Sequence, residues 1–176
     1  MILSIRFAGF GGQGILTTGL VCATAAMNLG KEVSWYPSYG AEMRGGTANC
    51  SVKIGDEEID SPFLKELDIL CTMNVPSIDA FQKDLKPGAV LFLDSGVVPE
   101  DYPLRDDIRI VRVPVSEIAR KAGNPRGANL VMLGAMATHT DLFTLDEIVE
   151  AVDSYFKKKG IDNPKNMDCL RLGAEC

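Results

Sequence analysis

The chain has 176 residues, of which 46% are hydrophobic and 24% charged, values that indicate a single soluble globular domain. Its net charge of −6 argues against a general nucleic-acid binder, because no basic surplus offsets the repulsion of phosphates. No stretch approaches the roughly 20 apolar residues of a membrane span. The five cysteines form no Cys-x-x-Cys pair, so we expect a cytoplasmic protein without a zinc or iron–sulfur site of its own.

Apolar runs of strand length alternate with helical patterns along the first two thirds of the chain. The first helix follows a glycine-rich turn, carries Leu16 and Leu20 on one face and stops near Gly30. Strands are predicted at 2–8, 32–36, 47–54, 68–73, 89–94 and 108–113. This alternation predicts an α/β fold with a largely parallel sheet.

The last third of the chain is predicted to be helical. Residues 128–140 are apolar nearly all round, which predicts a buried helix. Thr144 and Glu147 form a capping box that begins a further amphipathic helix. The chain is therefore predicted to consist of a domain over 1–160 and a C-terminal tail over 161–176 that orders only against a partner.

A glycine-rich turn lies close to the start of the chain. The stretch RFAGFGGQGI contains Gly9, Gly11 and Gly14 at the G-x-G-x-x-G spacing of dinucleotide-binding turns, between a strand pattern and a helix pattern. The N–H groups and the positive dipole end of that helix would attract an anion. The same glycines could instead serve only to connect the strand to the helix.

Two specific nucleotide sites fit this turn incompletely. A NAD site needs an acidic residue at the end of the second strand, whereas this strand ends in SWYP and Glu32 stands at its start. A P-loop needs Lys and Ser or Thr where this chain has Ile15 and Leu16. The sequence therefore disfavours both.

A second glycine-rich segment, YGAEMRGGTAN at 39–49, follows the second strand. Its two glycines after Arg44 would let backbone N–H groups curl toward an anion that the guanidinium attracts. Its position predicts the same sheet edge as the glycine turn. Alternatively, the glycines serve a hairpin and Glu42 forms a surface ion pair with Arg44.

Other polar motifs offer little catalytic chemistry. NPRGAN at 124–129 places Arg126 and Asn129 at a helix start, where simple helix entry is the plainer interpretation. His139 is the only histidine and lies in an apolar helix pattern, as a core residue would. The sequence does not predict a catalyst by itself.

Three separated motifs carry a resemblance to a known family. They are GFGGQGILTTG at 9–19, PSYGAEMRGGTANCSVKI at 37–54 and NPRGANLVMLGAM at 124–136. In this order they are similar to the gamma subunit of the 2-oxoacid:ferredoxin (acceptor) oxidoreductases, from about residue 3 to residue 155. The second motif most resembles separate gamma chains of the 2-oxoglutarate type.

The resemblance implies a Rossmann-like three-layer domain without a bound dinucleotide, as the non-catalytic subunit of a complex. Such complexes oxidise a 2-oxoacid to acyl-CoA and CO2 and reduce ferredoxin or another acceptor. In that family, thiamine diphosphate and iron–sulfur clusters belong to alpha, beta and ferredoxin-like delta subunits, which are therefore the implied partners. Related indolepyruvate enzymes carry a similar domain and are an alternative within the family.

The resemblance also implies a role in assembling the complex and in holding the ADP end of coenzyme A, or the neighbouring subunit's surface near it. The residues expected at this contact are Gly9, Gly11, Gly12, Gln13, Gly14, Arg44 and Gly45. No catalytic or metal-binding residue is expected on this chain. A purely structural assembly subunit and a stand-alone NAD(P)-binding domain are the alternative functions.

Overall fold

The computed structural model describes residues 1–38 and 47–176, which form six strands, six helices and two short 3₁₀ segments. The strands are β1 (Ile2–Phe10), β2 (Glu32–Ser38), β3 (Thr47–Gly55), β4 (Leu67–Thr72), β5 (Leu85–Asp94) and β6 (Arg109–Val113). The helices are α1 (Ile15–Asn28), α2 (Val75–Phe81), α3 (Val115–Lys121), α4 (Ala128–His139), α5 (Leu145–Lys158) and α6 (Lys165–Ala174). None of these helices combines the length and the apolar composition needed to pass through a lipid bilayer.

The six strands form one sheet in the order β2-β3-β1-β4-β5-β6. β1, β4, β5 and β6 pair in parallel, whereas β3 is antiparallel to both of its neighbours. β2 therefore runs in the same direction as β1, and β3 is the exception within a mostly parallel sheet. The predicted α/β fold is confirmed. The antiparallel pairing of β2 with β3 follows from the short connection 39–46, because parallel neighbours need a longer crossover.

The two faces of the sheet are covered unequally. On one face α1 and α3–α6 bury Phe7, Phe92 and their neighbours in the larger apolar cluster. On the other face Leu70 and Leu91 lie in a smaller cluster with α2 and the chain that follows β5. α2 packs on β4 and β1, whereas β2 and β3 receive their principal helix contacts from α1. The domain has the three layers that the resemblance implied, with the third layer over only part of the sheet.

α4 is buried along most of its length, as predicted, and α6 packs directly against it. A Cβ atom on Gly134 would overlap the Leu170 carbonyl oxygen, and one on Gly173 would overlap the Val131 carbonyl oxygen. The two backbones therefore approach more closely than any larger residue allows. The expected tail differs from the structure here, because Lys165–Ala174 forms a helix whose Leu170 is fully buried against the same chain.

Caps mark three helix boundaries, of which those at Thr144 and Gly30 are predicted from the sequence. Thr144 Oγ1 accepts from the Glu147 N–H at 3.3 Å, and Glu147 Oε2 accepts from the Thr144 N–H at 2.8 Å, which is the predicted capping box. Asn74 Oδ1 accepts from the Ser77 N–H at 2.8 Å and begins α2. Gly30, with φ of 74°, ends the turn after α1.

Candidate functional site

The glycine turn lies between β1 and α1, at the carboxyl edge of the parallel strands. The Gln13 N–H donates to the Phe10 carbonyl at 3.2 Å and closes the turn. Gly12 and Gly14 have φ angles of 89° and 73°, in the left-handed region that glycine adopts without strain. The strand–turn–helix context predicted from the sequence is confirmed.

The Gln13 side chain holds the turn against the end of β4. Gln13 Oε1 accepts from the Phe10 N–H at 2.6 Å, and Gln13 Nε2 donates to the Met73 carbonyl at 3.3 Å. A Cβ atom on Gly9 would lie 2.6 Å from Gln13 Oε1 and 3.0 Å from Met73 Cβ, so this position has no room for a side chain. Gly9 and Gln13 therefore shape the turn from within, and its outer surface is left to Gly11 and Gly12.

The carbonyl of Gly14 joins the turn to the third sequence motif. It accepts from the Thr18 N–H at 3.0 Å, from Thr18 Oγ1 at 2.8 Å and from Asn129 Nδ2 at 3.3 Å. Asn129 belongs to NPRGAN, which the sequence predicted only as a helix entry. No local pattern in the sequence predicts that Asn129 contacts Gly14, which lies 115 positions earlier. The only indication was that Asn129 belongs to one of the three motifs that carry the family resemblance.

The start of α1 presents uncompensated positive charge. Thr18 makes the first intrahelical backbone bond, so the N–H groups of Ile15, Leu16 and Thr17 have no carbonyl partner within the helix. Gly14 at the N-cap offers no side-chain cap, and the first turn contains no acidic residue. These donors and the helix dipole favour an anion at this end.

A cleft of about 320 Å³ opens beside the turn. Its lining includes Gly11, Gly12, Thr17 and the two residues Ser38 and Thr47, which flank the segment 39–46. The volume is at the small end of the range for ligand sites, roughly 300–1,000 Å³, and suits a phosphate-bearing end of a larger ligand. The predicted Arg44 and Gly45 lie outside the described residues, but both ends of their segment border this cleft.

The strand order disfavours a dinucleotide. In a dinucleotide fold the acid that binds the ribose ends the strand beside β1, whereas here β3 occupies that place and β2 lies about 10 Å from β1. Glu32 pairs with Gly55, which pairs with Ile2, so Glu32 lies at the opposite edge of the sheet. Eight residues of β1, about 26 Å, separate that edge from the turn.

A second cleft, of about 370 Å³, lies at that opposite edge. Its cations are already paired, because Lys31 Nζ lies 2.5 Å from Asp56 Oδ1 and the Met1 amino group lies 4.0 Å from Asp56 Oδ2. α1 directs its carboxyl end toward Lys31, where the helix dipole is negative. An anionic ligand is therefore favoured at the glycine turn.

The cysteines and the histidine lack the features of catalytic groups. Burial raises the pKa of Cys50 to about 12 and raises the pKa of Cys22 and Cys71 above the ordinary range, so these thiols stay protonated. His139 is half-buried at the end of α4, with Nε2 3.3 Å from the Cys176 carbonyl oxygen, rather than in the core as predicted. Within residues 1–38 and 47–176, no group of three or more His, Cys, Asp or Glu could hold a metal ion.

Comparisons with known proteins cover nearly the whole chain. Residues 4–176 match the family described as pyruvate ferredoxin/flavodoxin oxidoreductase. The chain is 43% identical over 175 residues to the VorA subunit of ketoisovalerate oxidoreductase from Methanothermobacter thermautotrophicus, covering 97% of this chain and 35% of that protein. It is 35% identical over 150 residues to the KorC subunit of 2-oxoglutarate synthase from Methanocaldococcus jannaschii, covering 84% of this chain and 80% of that protein. The chain thus spans about a third of the length of VorA.

Two solved structures have the same fold. One is the 2-oxoglutarate:ferredoxin oxidoreductase from Magnetococcus marinus with 2-oxoglutarate, coenzyme A and succinyl-CoA bound, at a TM-score of 0.88 and 27% identity over 99% of this chain and 30% of that chain. The other is the gamma subunit of a keto/oxoacid ferredoxin oxidoreductase from Geobacter sulfurreducens, at a TM-score of 0.84 and 29% identity over 99% of this chain and 95% of that chain.

Proposed function

The chain belongs to the pyruvate ferredoxin/flavodoxin oxidoreductase family, as a gamma-type chain of the 2-oxoacid oxidoreductases, and from this premise we propose that it works within a multi-subunit enzyme. The proposed complex converts a 2-oxoacid, coenzyme A and an oxidised acceptor to acyl-CoA, CO2 and the reduced acceptor. The observation that carries the proposal is the continuous match over residues 4–176, which includes all three sequence motifs. The family resemblance stated from those motifs is confirmed.

The reaction chemistry belongs to partner subunits in this proposal. Alpha and beta subunits hold thiamine diphosphate, and iron–sulfur clusters on the beta and ferredoxin-like delta parts carry the electrons. This chain contributes assembly of the complex and a surface for coenzyme A. All five of its cysteines are free thiols, which supports a cytoplasmic location.

The glycine turn is the part of this chain that we assign to coenzyme A. The N–H groups at the start of α1 and the open backbone of Gly11 and Gly12 would bind the phosphates of the ADP end, with Arg44 and Gly45 supplied by the adjoining segment. Gly9, Gln13 and Gly14 hold the turn in the required shape. The similarity of the fold to a complex that contains coenzyme A supports this assignment.

The 2-oxoacid has two candidates. 2-Oxoglutarate, giving succinyl-CoA, is supported by the residues of the second motif at 37–54 and by the TM-score of 0.88 to the 2-oxoglutarate enzyme. Ketoisovalerate is favoured by the 43% identity to VorA, compared with 35% to KorC. Because the 2-oxoacid binds on partner subunits in this proposal, only an assay of the assembled enzyme separates the two.

The test is to tag the chain in its native host, purify it gently and identify what accompanies it. We expect thiamine-containing and iron–sulfur-containing partners, together with coenzyme-A-dependent reduction of a viologen dye by one acid from a panel. That panel contains 2-oxoglutarate, ketoisovalerate, pyruvate and indolepyruvate.

Two results would favour the alternative functions. Activity in which variants at the glycine turn leave the KM for coenzyme A unchanged would favour a purely structural subunit. A chain that purifies alone, shows no activity and binds NADH in an equilibrium titration would favour a stand-alone NAD(P)-binding domain.

A further inference from the structure

One face of β2 and β3 lies outside the helical layers. Ile5 and Phe7 of β1 point into the cluster under α1, so by strand alternation Arg6 points to the other face, where its guanidinium lies 4.5 Å from the Phe81 ring of α2. Arg6 pairs with Ser51, which pairs with Tyr36 on β2. Tyr36 therefore lies on the face opposite α1, beyond the reach of the smaller cluster.

Two exposed aromatic rings meet on this face. Tyr36 and Phe63 are 43% and 64% exposed, with ring centroids 5.3 Å apart and an interplanar angle of 63°. Phe63 is held in place because Lys53 Nζ donates to the Ser61 carbonyl at 2.6 Å and the Phe63 N–H donates to Ser61 Oγ at 3.3 Å. We call Tyr36 and Phe63 the aromatic patch. Such positioned rings are typical of interface anchors, since little side-chain entropy is lost on binding.

The neighbouring strand edge does not invite strand addition. β2 is the edge strand of the sheet, and Pro37 removes one of its N–H donors. The backbone of β2 therefore offers an incomplete row of donors to a partner strand.

The charge beside the aromatic patch is mainly negative, although Lys65 is exposed on the connection between β3 and β4 and Lys53 reaches that connection from β3. Glu57, Glu58 and Asp60 are exposed on the same connection between β3 and β4 that carries Phe63. Across the described part of the chain, these three carboxylates form no ion pair. A complementary surface would present basic side chains around an apolar pocket.

We propose that the aromatic patch docks this chain onto an apolar pocket with a basic rim on a thiamine-binding partner subunit. The inference rests on the proposed function and deepens it, because it names the surface through which the complex assembles. The glycine cleft is then open to coenzyme A, and the two surfaces do separate tasks on one half of the sheet.

The test measures the affinity of this chain for its co-expressed alpha and beta subunits, captured through a tag on the partner. We expect Phe63→Asp and Tyr36→Ser each to weaken the Kd about 30-fold or more, the range of interface hot spots. Ile161→Asp is the matched control, since Ile161 is 47% exposed at the end of α5 and should change the Kd less than about twofold. Thermal unfolding of each variant verifies that it folds.

A second part of the experiment tests whether the acidic residues beside the aromatic patch contribute to association. The double variant Glu57→Lys, Glu58→Lys should slow association and reduce its salt dependence, with little effect on dissociation. Native affinity in both Phe63→Asp and Tyr36→Ser, or an equal loss in Ile161→Asp, overturns the inference while the unmodified complex still supports the proposed function. An unmodified chain that recruits neither subunit overturns both.

Discussion

The glycines of the turn act through three different physical effects. Gly9 is small because Gln13 and Met73 lie against it, whereas Gly14 has a φ of 73° and a Cβ atom there would lie 2.5 Å from Asn129 Nδ2. At Gly12 a Cβ atom would have no neighbour within 4 Å, so only the φ of 89° favours glycine there. Of these residues, Gly12 is the one at which a side chain would meet the cleft rather than the rest of the described chain.

In the assembled enzyme, Gly12→Val should raise the KM for coenzyme A about tenfold or more with kcat largely retained. The valine side chain would stand in the mouth of the cleft, and Arg44→Ala should act in the same direction by removing the cation. Gly30→Val is the control, because Gly30 also has a positive φ, of 74°, and open space, but lies at the other end of α1. The KM is measured by steady-state kinetics at varied concentrations of coenzyme A. An unchanged KM in both Gly12→Val and Arg44→Ala would contradict the assignment of the glycine turn to coenzyme A.

Local sequence signals identified the turn but not its partners. G-x-G-x-x-G between a strand and a helix is a short-range pattern, so Gly9, Gly11 and Gly14 could be named in advance. Asn129 and Met73 contact the turn only because β4 and α4 pack beside it. Pairings over 60 and 115 residues have no counterpart in periodicity or spacing.

At the scale of elements, most strands and helices follow from hydrophobic periodicity and capping. The alternation at 47–54 predicted that β3 is a strand but not which strands lie beside it. The structure shows that its neighbours are β1 and β2. α6 escaped prediction because its buried residues are few and its approach to α4 depends on Gly173. A glycine in a polar segment is a weak helix signal until the packing against it is known.

Gly173→Ala should lower the free energy of unfolding by about 2 kcal/mol, because its methyl group would overlap the Val131 carbonyl and force α6 away from α4. For a chain of this size the melting temperature should fall by roughly 4–8 °C. Arg171→Ala, on the exposed side of α6, is the control and should stay within about 0.5 kcal/mol. Equal stability of the two variants in denaturant titrations would refute the close backbone contact.

At the scale of the molecule, the sheet has two unlike halves. β4 and β5 are buried on both faces, whereas β2 and β3 have their helix layer on one face. The glycine cleft and the aromatic patch both lie on the second half. The two surfaces that we propose for recognition therefore share the half of the sheet that is covered on one face only.

The cysteines can be used to test whether the core is closed to solvent, because four of them are buried and one is exposed. Cys22, Cys50, Cys71 and Cys169 are buried and Cys176 is exposed. At mildly alkaline pH, iodoacetamide should add one group to the native chain and five to the unfolded chain, because burial raises the pKa of the core thiols and blocks access. Intact mass spectrometry counts the adducts, and Cys176→Ser should show none when native. Two or more rapid adducts on the native chain would show that the core opens.

The close packing of α4 with α6 also has a consequence for refolding. α6 begins at Lys165, 26 residues after α4 ends at His139, so the apolar groove around Gly134 stays uncovered until the later segment has folded onto it. Chains that have not yet docked α6 can associate through this groove, and we therefore expect the yield of refolding from denaturant to fall as the protein concentration rises.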